Sequence, residues 1–101
     1  VAEKHGAESE LTCEVHLLAY EIAKDSVPVK RFERVSKELG LAGNLVETFG
    51  GSDNNSFAKN GIPGLVLSDG MYQAHSINEY TTIKDLVTGA ELIAGLITDE
   101  Q

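Results

Sequence analysis

Gly64-Leu65-Val66-Leu67-Ser68 is apolar through its centre and lies between two turn signals, Asn60-Gly61-Ile62-Pro63 before it and Asp69-Gly70 after it. A short apolar run without alternation predicts a strand covered on both faces, and such strands belong to parallel sheets with helices above and below. Upstream, Asn44-Leu45-Val46-Glu47-Thr48-Phe49 is a second β-prone run that ends at Gly50-Gly51. Ser52-Asp53 then caps a short helix through about Lys59. Before that, Asp25-Ser26-Val27-Pro28 offers an N-cap and a first-turn proline. Val27, Phe32, Val35 and Leu39 recur at helical spacing, and Gly40 stands where a left-handed C-cap belongs, so a helix is expected over about 27 to 39. Leu11 to Tyr20 alternates with period two, Leu11, Cys13, Val15, Leu17 and Ala19 sharing one face, which predicts a long strand able to run from one sheet into another. Downstream, Ile83, Leu86, Val87, Ala90, Ile93, Ala94 and Ile97 form an apolar stripe after a Thr82/Asp85 capping pattern. Gly89 and Gly95 within that last helix favour close packing. The order strand, helix, strand, helix, strand, helix predicts an α/β fold, a partly parallel sheet flanked by helices and joined by right-handed crossovers.

The 101 residues carry 16 acidic against 8 basic side chains, a formal charge of −8, which argues against a nucleic-acid partner because phosphate binding needs clustered cations. With 42% apolar and 24% charged residues the composition is globular, and the length suits one core. The apolar stretches are too short to span a bilayer, and no basic-then-apolar leader opens the sequence. Cys13 is the single cysteine, so neither an internal disulfide nor a thiolate zinc cluster is expected; a cytoplasmic setting fits. Position 13, on the apolar face of the first strand, implies an inert core thiol. The opening at Val1 suggests a piece of a longer protein.

Ligand crevices in open α/β sheets lie beyond the C-terminal strand ends, here Gly50 to Asn55 and Gly70 to His75. The first loop feeds a helix N-terminus, whose N–H groups suit a carboxylate or oxyanion; a glycine pair there also reads as a plain capped turn. His75 sits in a loop without apolar periodicity, with Ser76, Asn78 and Glu79 close enough in sequence to orient an imidazole on a metal or simply to brace the loop. Tyr72 and Met71 suit packing at the pocket edge. His16 belongs to the less buried face of the first strand and His5 to a solvated opening segment. The three histidines show no metal-ligand spacing, and no nucleophile and base pair can be named. The Asp99-Glu100 tail is expected in solvent.

Taken in order, Gly50-Gly51-Ser52-Asp53-Asn54-Asn55, Asn60-Gly61-Ile62-Pro63, Gly70-Met71 with His75 and Glu79, and a helix opening Ile83-Lys84-Asp85-Leu86 resemble the C-terminal part of the two-zinc aminopeptidases and aminoacylase-type amidohydrolases, especially peptidase T-like enzymes. The resemblance runs over essentially residues 7 to 98. It implies that residues 1–22 are the end of a lid domain with its crossing strand, and 23–101 the C-terminal part of a catalytic domain. It further implies that His75 is the last ligand of a two-zinc centre and that Gly50, Gly51, Ser52, Asp53 and Asn54 line the substrate pocket. No catalytic residue is expected in this chain, because the family's other metal ligands and its glutamate base have no counterpart here. Asn54 stands where a small residue is common, and Ser76 with Asn78 replace the usual threonine and acidic residue. The parent enzyme would hydrolyse short peptides or N-acyl amino acids with zinc, and the isolated chain would be inactive. The alternative is a self-standing, non-catalytic binding or assembly module that kept the fold. A lid strand without neighbours would also pair with a second copy, giving a homodimer or strand-exchanged assembly.

Overall fold

A computed structural model describes residues 2–100. After a 3-10 turn at Ala2–His5 come three α-helices: α1 (Val27–Glu38), α2 (Asn54–Lys59) and α3 (Ile83–Thr98). Each forms for local reasons. Ser26 is extended before α1 and Pro28 occupies the first turn, where its missing N–H costs nothing. The C-terminus closes in a Schellman arrangement: Gly40 N–H donates to Lys37 O and Leu41 N–H to Ser36 O at 2.8 Å, with Gly40 at φ 68°. α2 ends the same way, Gly61 N–H donating to Ala58 O and Ile62 N–H to Phe57 O. α3 starts at Thr82, whose hydroxyl accepts from Asp85 N–H at 3.1 Å.

The expected partly parallel sheet is not there. Among the described residues no strand forms, and the only β pairing is an isolated antiparallel bridge between Tyr72 and Tyr80. The three predicted strands, 11–20, 44–49 and 64–68, lie outside any ladder, and Leu11 (86%) and Val46 (78%) are largely exposed. Alternation and apolar runs record which surfaces a segment is suited to cover. A ladder also needs the N–H and C=O groups of a second backbone aligned with its own at about 5 Å, and among the described residues no such alignment forms outside the Tyr72/Tyr80 bridge. Cys13, expected in the core, is exposed for the same reason.

What packs is one helix pair. α1 meets α3, with Gly95 of α3 against Val35 of α1, and the buried residues of the two helices are Val29, Val35 and Ser36 in α1 and Leu92 in α3. Gly95 permits the approach, since a Cβ there would collide with Val35, whereas Gly89 faces open space. The apolar stripe read from the sequence is not the face that does this: Ile83 and Ile97 are exposed, and Ile93 and Ile97 border an open apolar groove of about 430 Å³ with Phe32, Leu65 and Leu67. The less exposed side of α3 is instead the mixed one of Thr88, Gly89, Leu92, Gly95 and Leu96, so its apolar stripe is left uncovered. Asp99, expected in solvent, is instead 9% exposed in its side chain and is gripped by Arg34 and by Arg31 Nε at 3.3 Å. Arg34 Nε donates to Asp99 Oδ1 at 2.9 Å, and this bond, with the two positive charges, holds the Asp99 carboxyl below its usual range despite the opposing cost of desolvation.

Among the described residues only Val29, Val35 and Leu92 are buried apolar side chains. The radius of gyration is 19.2 Å, against about 13 Å for a compact chain of this length. Accessible surface totals 8798 Å², where a compact protein of this mass would show roughly 5,500 Å².

Candidate functional site

His75 stands near the tip of a loop that organises itself with polar bonds. Tyr72 and Tyr80 exchange backbone hydrogen bonds, Tyr72 N–H to Tyr80 O at 2.9 Å and Tyr80 N–H to Tyr72 O at 3.2 Å. Their rings stack with centroids 4.9 Å apart, a separation typical of attractive aromatic pairs. Inside this clasp, Glu79 N–H donates to Ser76 O and Asn78 N–H to Ser76 Oγ. His75 N–H donates to Glu79 Oε2 at 2.7 Å. Gln73 and His75 both adopt left-handed backbone conformations, φ 51° and 65°, which cost non-glycine residues energy unless neighbouring bonds enforce them. The His75 side chain is exposed. Of the two readings open in the sequence, orienting the imidazole or bracing the loop, the Glu79 contact seen here is of the second kind, made to the histidine's backbone.

The clasp rests on the start of α3. A hydrogen bond to the Asp85 carboxylate, aided by that carboxylate's charge, raises the Tyr72 phenol above its ordinary value. Asp85 also accepts from the Thr82 hydroxyl at 2.5 Å. Gly70 at φ 78° lies so close that any Cβ would collide with Asp85.

The loop at 50–55 is held differently. Asn55 Oδ1 accepts from Ser52 N–H at 2.9 Å and Ser52 Oγ from Asn54 N–H at 3.3 Å, so two of the amides that could meet an anion are already satisfied. Asn54 is buried; its amide donates to the Tyr20 hydroxyl at 2.8 Å and to Gly64 O at 3.1 Å. Asn55 Nδ2 reaches Leu18 O at 2.8 Å. Gly51 fits beneath Leu17. Gly50, Gly51 and Asp53 are exposed, with Ser52 half-buried. Tyr20, Leu18 and Gly64 are thus supports of this loop that the sequence reading missed; the side-chain amides at 54 and 55 were the available signal.

His16 lies 3.4 Å from Glu14 on the exposed segment, far from any third ligand. Among the described residues no three His, Cys, Asp or Glu side chains converge as a metal ion requires. His75 offers one nitrogen donor of the right chemistry for zinc, but a zinc site needs three or four protein ligands, so the described residues do not by themselves hold the ion. No helix among them is long and apolar enough to cross a membrane.

Residues 8–99 match the model of peptidase family M20/M25/M40. The chain belongs to that family. Within this peptidase family it is 30% identical over 94 residues to the uncharacterized protein YqjE of Bacillus subtilis (strain 168), covering 93% of this chain and 25% of that protein. Its backbone superposes on the crystal structure of aminopeptidase PepT from Bacillus cereus ATCC 10987 with a TM-score of 0.78, at 28% identity, covering 95% of this chain and 26% of that one. The M20/M25/M40 chain thus spans about a quarter of the length of both proteins.

Proposed function

We propose that this chain is the C-terminal portion of a peptidase T-like, zinc-dependent exopeptidase or amidohydrolase acting on short peptides or N-acyl amino acids. Residues 1–22 close its lid domain and residues 23–101 complete its catalytic domain. The carrying observation is the likeness to aminopeptidase PepT along 95% of the chain. The exposed apolar surface supports it. An excess on the order of 3,000 Å² on this one chain over a compact protein corresponds to roughly 6,000 Å² counted on both sides, above ordinary obligate interfaces, as expected of chain meant to be embedded in a larger domain. A self-standing module would need its own core, and three buried apolar side chains weigh against one.

In the complete enzyme His75 contributes one ligand nitrogen, presented by the clasp. Gly50, Gly51, Ser52 and Asp53 line the substrate pocket, and Asn54 braces them from behind. Bound zinc in such an enzyme supplies the Lewis acidity that lets water attack an amide near neutral pH. The base and the other ligands come from outside these residues, so the isolated chain is inactive. The test is hydrolysis of short peptides and N-acyl amino acids by the full-length protein with and without zinc. Zinc-dependent turnover abolished by His75→Ala is the expected result. Turnover unaffected by His75→Ala, or by removal of zinc, would overturn the reading, as would zinc-dependent hydrolysis by the pure 101-residue chain for its inactivity. In isolation, the exposed 11–20 segment pairs with a second copy; a clean monomer in concentrated sedimentation runs would sink that part.

A further inference from the structure

The geometry points to Glu79 as a positioning residue for His75: its carboxylate sets the histidine by accepting the His75 backbone N–H. This rests on the reading of His75 as a metal ligand given above. His75 holds a left-handed φ of 65° in a loop where every residue from 71 to 80 is exposed, so no packing by the described residues enforces that conformation. The 2.7 Å bond from His75 N–H to Glu79 Oε2 is the contact that reaches the histidine itself. The Tyr72/Tyr80 bridge and stack close the loop at its base, and the Ser76 bonds fix residues 78 and 79, so Glu79 is presented to His75 from a braced position. Losing the acceptor frees His75 to relax toward an ordinary φ, which would turn its Cα–Cβ vector and misaim the imidazole.

Two mild variants separate acceptor from charge. Glu79→Gln keeps a carbonyl oxygen at the same reach and removes the charge; Glu79→Asp keeps the charge and withdraws the oxygen by one methylene. Zinc affinity of the full-length protein is measured by competition with a chelator, alongside the melting temperature of the zinc-free form. Outer-shell partners of metal ligands typically contribute about 10- to 100-fold in affinity. The expected result is that Glu79→Asp, which withdraws the oxygen, weakens zinc binding by at least about tenfold and Glu79→Gln, which keeps an acceptor at the same reach, weakens it less, with zinc-free melting temperatures alike. Stronger weakening by Glu79→Gln than by Glu79→Asp, or no effect of either, would overturn the assignment. His75→Ala is run in parallel. If it leaves zinc affinity intact, the ligand reading itself fails; if it lowers affinity while Glu79→Asp does not, only the positioning role of Glu79 fails.

Discussion

The two loops that carry the candidate site are stabilised in opposite ways. The 72–80 loop closes on itself: its bridge, ring stack and Glu79 bond all lie within nine residues, and its footing is the start of the next helix. The 50–55 loop is held by segments far away in the chain, through Asn54 to Tyr20 and Gly64 and through Asn55 to Leu18. A loop that must present one side chain in a fixed direction gains from being locally determined. A loop that only lines a surface can borrow its order from whatever it rests on.

The largest effect should come from the footing of the self-closed loop. Gly70→Ala forces an L side chain to φ 78° and drives its Cβ into Asp85, so roughly 2 to 4 kcal/mol of stability should be lost, measured by denaturant unfolding of the full-length protein. A loss under about 0.5 kcal/mol would mean that the loop does not depend on α3 for its position. Next comes the borrowed loop. Asn54→Ala leaves the Gly64 carbonyl and the Tyr20 hydroxyl without their donor, an expected cost of about 2 kcal/mol. Gly64→Ala should reproduce this, because its Cβ would displace the Asn54 side chain. Gly51→Ala should cost far less, about 0.5 kcal/mol or under, since the half-exposed Leu17 can swing away. Equal losses for Gly64→Ala and Gly51→Ala would show that Asn54 is not the anchor.

Thr82→Ala removes an acceptor from the Asp85 N–H and a donor to its carboxylate, at the expected cost of an N-cap, about 1 kcal/mol. It should loosen the 72–80 loop and leave the 50–55 loop untouched. Hydrogen exchange at residues of each loop distinguishes the two.

The same division between local and remote determinants explains what could be read from the sequence. Helix α1 was expected over 27 to 39 and is found at Val27–Glu38, because Pro28 and Gly40 write its ends in local chemistry; α3 follows from Thr82 in the same way, whereas Asp53 at the N-cap of α2 makes no side-chain cap hydrogen bond and Ser52 Oγ accepts from Asn54 N–H. The sheet was not legible, because Leu11 to Tyr20, Asn44 to Phe49 and Gly64 to Ser68 show only a demand for partners, and the described residues supply none. Those segments still follow the path of a peptidase backbone over 95% of the chain, so the trace is set where the ladder is not. On α3 the apolar stripe was legible but left uncovered, whereas the close approach expected at Gly95 is found against Val35; Asp99 was placed in solvent because its pairing with Arg31 and Arg34 depends on how two helices cross. His75 could be singled out from its setting, whereas its support by Glu79 needed the turn geometry.

The smallest effect tests the footing of the self-closed loop by pH. The Asp85 carboxylate raises the Tyr72 phenol, so the folded form holds its proton more tightly than the unfolded chain does. The contribution is therefore complete below about pH 10, the ordinary tyrosine value, and is lost as pH rises through the higher value of the folded state. Ultraviolet titration of phenolate should show one tyrosine ionising late, and Tyr72→Phe should remove that late step. Across the same range the parent should lose stability to denaturant, and Tyr72→Phe should lose less of it. An equal loss in both would mean that the contact of Tyr72 with Asp85 is not a footing of the clasp, and that His75 owes its position to its other surroundings.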